Sequence, residues 1–260
     1  MLRRPGTGQA GLHRATKTNE HSFGNFVPQL RAILETGSSN ARSREVRTLA
    51  NDDDLESYAS LNGGEDWHVN DPFTQPRYKQ MLAWAPGGTN DVLDVGIGSG
   101  TGGQVLRTNF PSGRIVGLDV VEHRLSPTAK IYDQTVHATG THTGLESASF
   151  DLIVAGEIIE HVYNADVDPF LHEMFRLLRI GGRLCLTTPN PNDIKRRRRG
   201  ESVLGGSHVT QHFPNATKTR LNQAGFRVRA VRGTGRVSLR LGTHLPLSIY
   251  GSYLIVGERS

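Results

Sequence analysis

Short apolar runs alternate with segments of helical periodicity through the middle of this chain. The apolar runs predict strands at residues 91–95, 114–118, 135–138, 152–155 and 184–188. Apolar positions at helical spacing predict intervening helices at residues 101–108, 122–132 and 167–178. This alternation is typical of a parallel sheet whose strands are joined by crossover helices. We expect Gly181 and Gly182 to end the last of these helices, because glycine adopts the left-handed conformation that stops a helix.

Both ends of the chain depart from this alternation. On the N-terminal side, helical spacing predicts one helix within residues 42–61 and another at 73–84. On the C-terminal side, residues 190–213 are rich in Asn, Pro and Gly and predict a long mobile loop that suits a lid. The remaining predicted elements are a helix at 214–224 and strands at 226–232 and 249–258.

The pattern divides the chain into three parts. Residues 1–42 lack sustained periodicity and predict a flexible arm. Residues 43–88 hold the two N-terminal helices and predict a helical cap, and residues 89–260 hold the predicted sheet. A chain of 260 residues has room for one α/β domain of this kind with an appendage.

Composition excludes several classes of protein. The chain has no run of about 18 apolar residues, and its first nine residues lack the apolar core of a secretory signal. We therefore expect a cytoplasmic protein without a membrane span. Cys185 is the only cysteine, which excludes an internal disulfide and an all-cysteine metal site and indicates a buried thiol on a strand.

Positive charge is concentrated near the C-terminal end. The net charge is +5, and residues 195–260 carry 13 Lys and Arg against only Glu201 and Glu258. Five of these cations form the run from Lys195 to Arg199. Such a patch is either a solvated face or a site for an anionic partner, nucleic acid included.

A glycine-rich turn follows the first predicted strand of the sheet and leads into a helix. Glycines at such a turn let the bare backbone approach a ligand, because side chains would block it. Gly96, Gly98 and Gly100 form a Gly-x-Gly-x-Gly pattern. With Gly103, the last two also form the Gly-x-Gly-x-x-Gly of nicotinamide-dinucleotide sites. The glycines alone therefore fit two cofactor classes, a nicotinamide dinucleotide and S-adenosylmethionine.

The charges near this turn favour one of the two cofactors. Asp94 lies two residues before Gly96, where its carboxylate can meet the cationic amino-acid end of S-adenosylmethionine. A nicotinamide dinucleotide would instead present its negative pyrophosphate to this loop. Asp119, at the end of the second predicted strand, can accept hydrogen bonds from ribose hydroxyls, as either cofactor requires.

An acidic residue followed by Gly-x-Gly-x-Gly resembles the first motif of the class I S-adenosylmethionine-dependent methyltransferases. The resemblance falls on Asp94, Gly96, Gly98 and Gly100, and the segments 149–154, 160–162 and 177–184 resemble the family's fourth strand, helix and fifth strand. It implies an enzyme with a Rossmann-like α/β fold: a seven-stranded, mostly parallel sheet with an antiparallel C-terminal strand, preceded by helices. It also implies that Asp119 binds the ribose of the cofactor.

The resemblance leaves the adenine contact open. Many members carry an acidic residue after the third strand for this purpose, and residues 139–143 offer none. Thr141, His142 or a backbone carbonyl is expected to substitute.

A Glu-x-x-Glu-His stretch follows the fourth predicted strand. If it opens a helix, Glu157, Glu160 and His161 share one face and form half of a divalent-metal site. His208 and His212 are the natural donors of a further ligand. The pattern resembles ubiquinone-pathway O-methyltransferases and small-RNA 2'-O-methyltransferases. That resemblance implies Glu157, Glu160, His161 and His208 as ligands of Mg²⁺ or another divalent cation.

A second interpretation of the same residues needs no metal. Glu-His after the fourth strand is common in small-molecule methyltransferases, where the histidine borders the pocket or acts as a base. His161 is the expected catalytic residue under both interpretations, with His208 as its partner. Glu157 is also expected to border the cofactor.

These features support several hypotheses about function. The first is methyl transfer to the oxygen of a hydroxylated small molecule such as a sugar or phenol, and the second is methylation of an RNA ribose 2'-hydroxyl. A nicotinamide-binding Rossmann protein and a non-catalytic cofactor-binding partner remain as further alternatives. Trp67 and His68 form either a packed pair or a contact with the acceptor, and the oligomeric state is left open.

Overall fold

The computed structural model describes residues 46–48, 52–64 and 71–260. Its strands are β1 (Val46–Thr48), β2 (Asp91–Val95), β3 (Arg114–Asp119), β4 (Gln134–His137), β5 (Phe150–Gly156), β6 (Leu178–Pro189), β7 (Phe226–Thr234) and β8 (Ser252–Arg259). Its α-helices are α1 (Asp52–Gly63), α2 (Thr74–Leu82), α3 (Thr101–Asn109), α4 (Leu125–Thr128), α5 (Val167–Leu177), α6 (Ile194–Arg198), α7 (Pro214–Gln223) and α8 (Arg236–Leu241). Within this described part, no helix is both long and apolar enough to cross a bilayer.

All the strands form one sheet in the order β1-β4-β3-β2-β5-β6-β8-β7. Strands β1 to β6 pair in parallel, and β8 pairs antiparallel to β6 on one side and β7 on the other. The predicted fold class is therefore confirmed, including the antiparallel C-terminal strand. Strand β1 is an addition at one edge.

Strand β1 corrects the prediction of a helix within residues 42–61. Val46–Thr48 pairs with residues 135–137 of β4, and helix α1 begins only at Asp52. Pairing with a sheet edge overrides local helical spacing, because propensity is a weak signal beside a tertiary contact. The predicted arm at residues 1–42 lies outside the described residues, and so do Trp67 and His68.

Two other predicted helices differ from those in the structure. Helix α5 ends at Leu177 and β6 starts at the next residue, so Gly181 and Gly182 do not end the helix. They lie in a bulge where the pairing of β5 with β6 skips residues 179–182. The predicted helix at 122–132 shortens to a 3₁₀ turn and the four residues of α4, where Pro127 lacks the N–H that continues a helix.

Both faces of the sheet are buried under helices. Phe170 and Met174 of α5 and Leu221 of α7 pack on one face. Tyr78 of α2 and Leu106 of α3 pack on the other, which also holds the buried thiol of Cys185. Burial raises the pKa of this thiol to about 12, as expected for a cysteine that serves only packing. Double-sided burial explains why the strands read as almost continuous apolar runs.

Residues 190–213 form a strap rather than a featureless loop. The strap begins with α6, whose first turn is capped by the Asp193 carboxylate accepting from Lys195 N–H at 3.1 Å. Further on, the backbone N–H groups of Val209 and Thr210 donate to the carbonyl of Glu160 at 2.9 and 3.1 Å. These bonds attach the strap to the predicted site, and its movement as a lid stays a prediction.

Candidate active site

A cavity of about 320 Å³ lies at the carboxyl ends of the central strands. The loops after β2, β3, β4 and β5 form its floor, and α1 and α2 close it from the N-terminal side. Ligands of open α/β sheets collect at this edge, where the strand order reverses. The predicted site residues in its wall are Gly96, Gly98, Asp119, Thr141, Glu157 and His161.

The glycine turn has a backbone that other residues rarely adopt. Gly96, Gly98 and Gly100 have φ angles of 75°, 50° and 80°, in the left-handed region. A side chain at Gly96 would collide with Ile158, and one at Gly100 would lie 2.8 Å from the Ile131 side chain. Around Gly98 there is open space toward the cavity. The turn therefore presents bare backbone to a ligand, as predicted.

Asp119 holds the turn against the end of β3. One carboxylate oxygen accepts a hydrogen bond from Gly98 N–H at 3.0 Å, and the other accepts from Val121 N–H at 2.9 Å. Arg124 lies 3.7 Å from the second oxygen and also lines the cavity. The carboxylate is thus fixed where the cofactor's ribose is expected.

Asp94 lies behind the cavity wall. Its Oδ1 accepts a hydrogen bond from the Tyr78 hydroxyl at 2.6 Å, and its Oδ2 accepts from the Tyr132 hydroxyl at 2.7 Å. Complete burial raises the pKa of Asp94 to about 7, against the two tyrosine hydrogen bonds and with a smaller contribution from the charge of Asp119. A direct contact between Asp94 and the cofactor's amino group stays a prediction.

The two tyrosines were not found from the sequence. A signal for them exists at the start of α3, where a side chain on Gly102 would collide with the Tyr78 ring and one on Gly103 with the Tyr132 hydroxyl. Two adjacent glycines weaken a helix unless something packs closely against it. Tyr78 also lines the cavity, so this contact joins α2 to the cofactor turn.

The loop after β4 supplies the wall where adenine is expected. Thr141 lines the cavity, and its hydroxyl lies 2.9 Å from the Thr139 hydroxyl. The exposed His142 lies outside the wall, and its Nδ1 is 3.2 Å from the Thr141 hydroxyl. Of the two predicted residues, the structure places Thr141 in the better position.

Glu157 directly follows β5 and has a left-handed backbone, with φ at 58°. Its N–H donates to the Thr187 carbonyl at 3.0 Å, which holds this unusual conformation in place. Its Oε1 lies 3.5 Å from Nε of the partly buried Arg77, whose Nη1 donates to Asp71 at 3.3 Å. Arg77 was missed by sequence reasoning, since nothing in α2 marks it as facing a carboxylate.

The predicted metal ligands after β5 lie in a 3₁₀ turn, Ile159–His161, and not on an α-helix. Glu157 therefore does not share a helix face with Glu160 and His161. Instead, single ligand atoms of Glu160, His161 and His208 lie within 4.8 Å of one another. The structure brings together three of the four predicted ligands, while the carboxylate of Glu157 lies beside Arg77.

Glu160 is almost completely buried. One carboxylate oxygen accepts from the Thr188 hydroxyl at 3.0 Å, and the other is buried with no hydrogen-bond partner among the residues that the structure describes. Burial and, secondarily, the negative charge of Glu157 raise the pKa of Glu160 well above its usual value. A buried carboxylate oxygen of this kind is stabilised by a cation or a proton.

The two histidines of the strap have different roles. Nδ1 of His208 lies 2.9 Å from the Val203 carbonyl, so it carries the proton and leaves Nε2 as the ligand atom. The His208 ring meets that of His161 edge-on, with centroids 4.8 Å apart. His212 instead bonds the Ile159 carbonyl through Nε2 at 3.0 Å, and burial lowers its pKa to about 4. His212 is a neutral structural residue.

The imidazoles of His161 and His208 and the second carboxylate oxygen of Glu160 form a donor set that fits a divalent cation. The site can also act without a divalent cation, because His161 lines the cavity and an imidazole can accept a proton.

The sheet order, the glycine turn and the acidic end of β3 resemble those of the class I S-adenosylmethionine-dependent methyltransferases. Residues 93–186 match the family model described as a methyltransferase domain. The chain therefore contains such a domain, and the resemblance inferred from its motifs is confirmed. The match also favours S-adenosylmethionine over a nicotinamide dinucleotide, the two cofactor classes that the glycines left open.

Known proteins resemble the chain over different lengths. A probable S-adenosylmethionine-dependent methyltransferase of Mycolicibacterium smegmatis is 30% identical over 145 residues, which cover 55% of this chain and 54% of that protein. The mitochondrial ubiquinone biosynthesis O-methyltransferase of Mus musculus is 28% identical over 233 residues, covering 77% of this chain and 60% of that protein. The chain thus spans little more than half the length of these relatives.

A solved structure shares the fold. The match is to a chain in the complex between the Haloferax volcanii Trm112 methyltransferase activator and a putative methyltransferase. The TM-score is 0.59 at 19% identity, over 80% of this chain and 96% of that one.

Proposed function

We propose that this protein transfers the methyl group of S-adenosylmethionine to an oxygen atom of a hydroxylated small molecule. The observation that carries the proposal is the position of His161, which lines the same cavity as Gly98 and Asp119 and contacts His208. The similarity to a mitochondrial O-methyltransferase supports an oxygen acceptor.

The residues divide the work between them. The glycine turn, Asp119 and Thr141 would hold S-adenosylmethionine, which when bound supplies a methyl group on a positively charged sulfur. An acceptor hydroxyl must lose its proton as it attacks that methyl group. His161 is positioned to accept this proton. The enclosing walls from α1 and α2 align the acceptor and exclude water.

A divalent cation fits the same scheme. Glu160, His161 and His208 would hold it, and it would supply Lewis acidity toward the acceptor hydroxyl. Mg²⁺ prefers oxygen ligands, whereas two imidazoles also suit transition metals. Mg²⁺, Mn²⁺, Co²⁺ and Zn²⁺ therefore all belong in a test.

Transfer of an isotope-labelled methyl group to a panel of phenols, catechols and sugars tests the proposal. We expect label in at least one hydroxylated acceptor, and a loss of turnover of about 10²-fold or more in His208→Ala when a metal is required. Equal turnover before and after chelation, with His208→Ala fully active, would exclude the metal and leave His161 as a base. Label appearing only on amines would overturn the choice of oxygen.

Methylation of an RNA ribose is the second candidate, and helix α6 favours it. Its Lys195, Arg197 and Arg198 are exposed, on the same strap that carries His208. Label transfer to short RNA, with binding that weakens steeply as salt rises, would support this candidate. No affinity for RNA at low salt would remove it.

A further inference from the structure

An exposed tip follows β7 and combines apolar and basic side chains. It consists of α8 and residues 242–246, and we call it the leucine tip. Leu239, Leu241 and Leu245 are 57%, 64% and 41% exposed. Arg236 and Arg240 are exposed beside them. From residue 202 to residue 257 the chain has no Asp or Glu, so this segment contributes no acidic side chain to the surface.

The tip is held in a defined conformation. The hydroxyl of the fully buried Tyr250 donates to the Gly242 carbonyl at 2.6 Å and accepts from Leu245 N–H at 3.2 Å. Gly233 N–H, near the end of β7, donates to the Thr243 carbonyl at 3.1 Å. A turn held by hydrogen bonds therefore exposes the leucines together. Single exposed leucines scattered over a surface would need no explanation.

The tip lies at the cavity edge of the sheet. Strands β6 and β7 are both antiparallel to β8, so β7 ends at the same edge as the strands that hold the cavity. The Arg236 guanidinium lies 5.9 Å from the ring centre of Phe73, which lines the cavity. Helix α6, with its exposed cations and the 40% exposed Ile194, packs beside the turn Leu247–Ile249 that follows the tip.

We propose that the leucine tip docks the protein on an anionic lipid bilayer. Leucines flanked by arginines are the composition of an interfacial membrane site, where apolar side chains enter the headgroup boundary and cations meet anionic lipids. Single-stranded nucleic acid is instead bound by basic residues with stacking aromatics, and residues 236–246 include no Phe, Tyr or Trp. The proposal can be tested separately from methyl transfer, because the quantity measured is binding to lipid.

Flotation of the full chain with vesicles tests the proposal. The vesicles are phosphatidylcholine alone or phosphatidylcholine with phosphatidylserine, at low and high salt. We expect binding to the anionic vesicles that weakens as salt rises. The double variant Leu239→Ser/Leu241→Ser should bind at least about tenfold more weakly, since two leucines no longer enter the bilayer. Arg236→Ser and Arg240→Ser should each reduce binding about fivefold.

Ile180→Ser is the matched control. Ile180 is 81% exposed near the start of β6, at the opposite edge of the sheet, so its loss should leave vesicle binding unchanged. Unchanged thermal unfolding and S-adenosylmethionine affinity would show that the tip variants are folded.

Four outcomes would overturn the proposal. They are equal binding to neutral vesicles, binding that survives the leucine substitutions, an Ile180→Ser variant that loses binding as strongly as the tip variants, and no vesicle binding at all. Tight RNA binding without vesicle binding would assign the basic surface to nucleic acid.

Discussion

The two sides of the cavity are built in different ways. The cofactor side comes from one continuous strand, turn and helix, with Asp119 added from the next strand. The catalytic side joins Glu160 and His161 to His208, which lies on a strap more than forty residues away in the sequence. A local motif defines the first side, whereas tertiary contacts assemble the second. Mutations on one side should therefore reduce turnover, and mutations on the other should reduce cofactor affinity.

The largest separate effect is expected at His161. His161→Ala removes the proposed proton acceptor from the cavity wall, so kcat should fall by about 10²- to 10⁴-fold while the Kd for S-adenosylmethionine stays unchanged. Steady-state kinetics and calorimetry measure the two quantities. His142→Ala, exposed and outside the wall, is the control. A parallel loss of cofactor affinity in His161→Ala would contradict the division.

Gly96→Ala should damage the cofactor side instead. The new side chain would collide with Ile158, and its left-handed backbone costs a further 1–2 kcal/mol, roughly. We expect a loss of S-adenosylmethionine affinity of at least about tenfold, measured by calorimetry. Adding Ile158→Ala to Gly96→Ala removes the obstructing side chain and should restore part of the affinity. No recovery in the double variant would argue against the collision.

Tyr78→Phe tests the link between α2 and the cofactor turn. Losing the hydroxyl leaves one oxygen of the buried Asp94 without a donor, which should lower the free energy of unfolding by about 1–3 kcal/mol. Denaturant unfolding measures this change. Tyr163→Phe, a partly exposed tyrosine, should change stability by no more than about 0.5 kcal/mol. Similar losses in both variants would show that the Tyr78–Asp94 bond adds little.

A further effect concerns pH. Because the pKa of Asp94 is about 7 in the folded protein and 3.8 ordinarily, the folded state retains a proton that the unfolded chain releases between these values. Stability should therefore fall as pH rises from about 4 to 7 and level off above that. Asp94→Asn should make this decline shallower, as measured by unfolding at several pH values. Glu160, whose pKa is also raised, should sustain the remaining decline. An unchanged slope would place the proton elsewhere.

The features that can be predicted from the amino-acid sequence are those whose requirements are local. Strand β2 was predicted with its observed bounds, because a strand buried on both faces is rich in apolar residues. Gly96, Gly98 and Gly100 were identified because left-handed backbone and close approach exclude side chains. Asp119 followed from its place at the end of a strand, where the connection leaves the sheet.

Contacts between residues that are far apart in the sequence became known only from the folded structure. It paired β1 with β4, placed Tyr78 and Tyr132 on Asp94, and turned Glu157 toward Arg77. It also gave His208 and His212 different surroundings, since each imidazole bonds a different carbonyl. Such choices depend on burial and partner geometry, which residues far apart in the chain create together only when it folds.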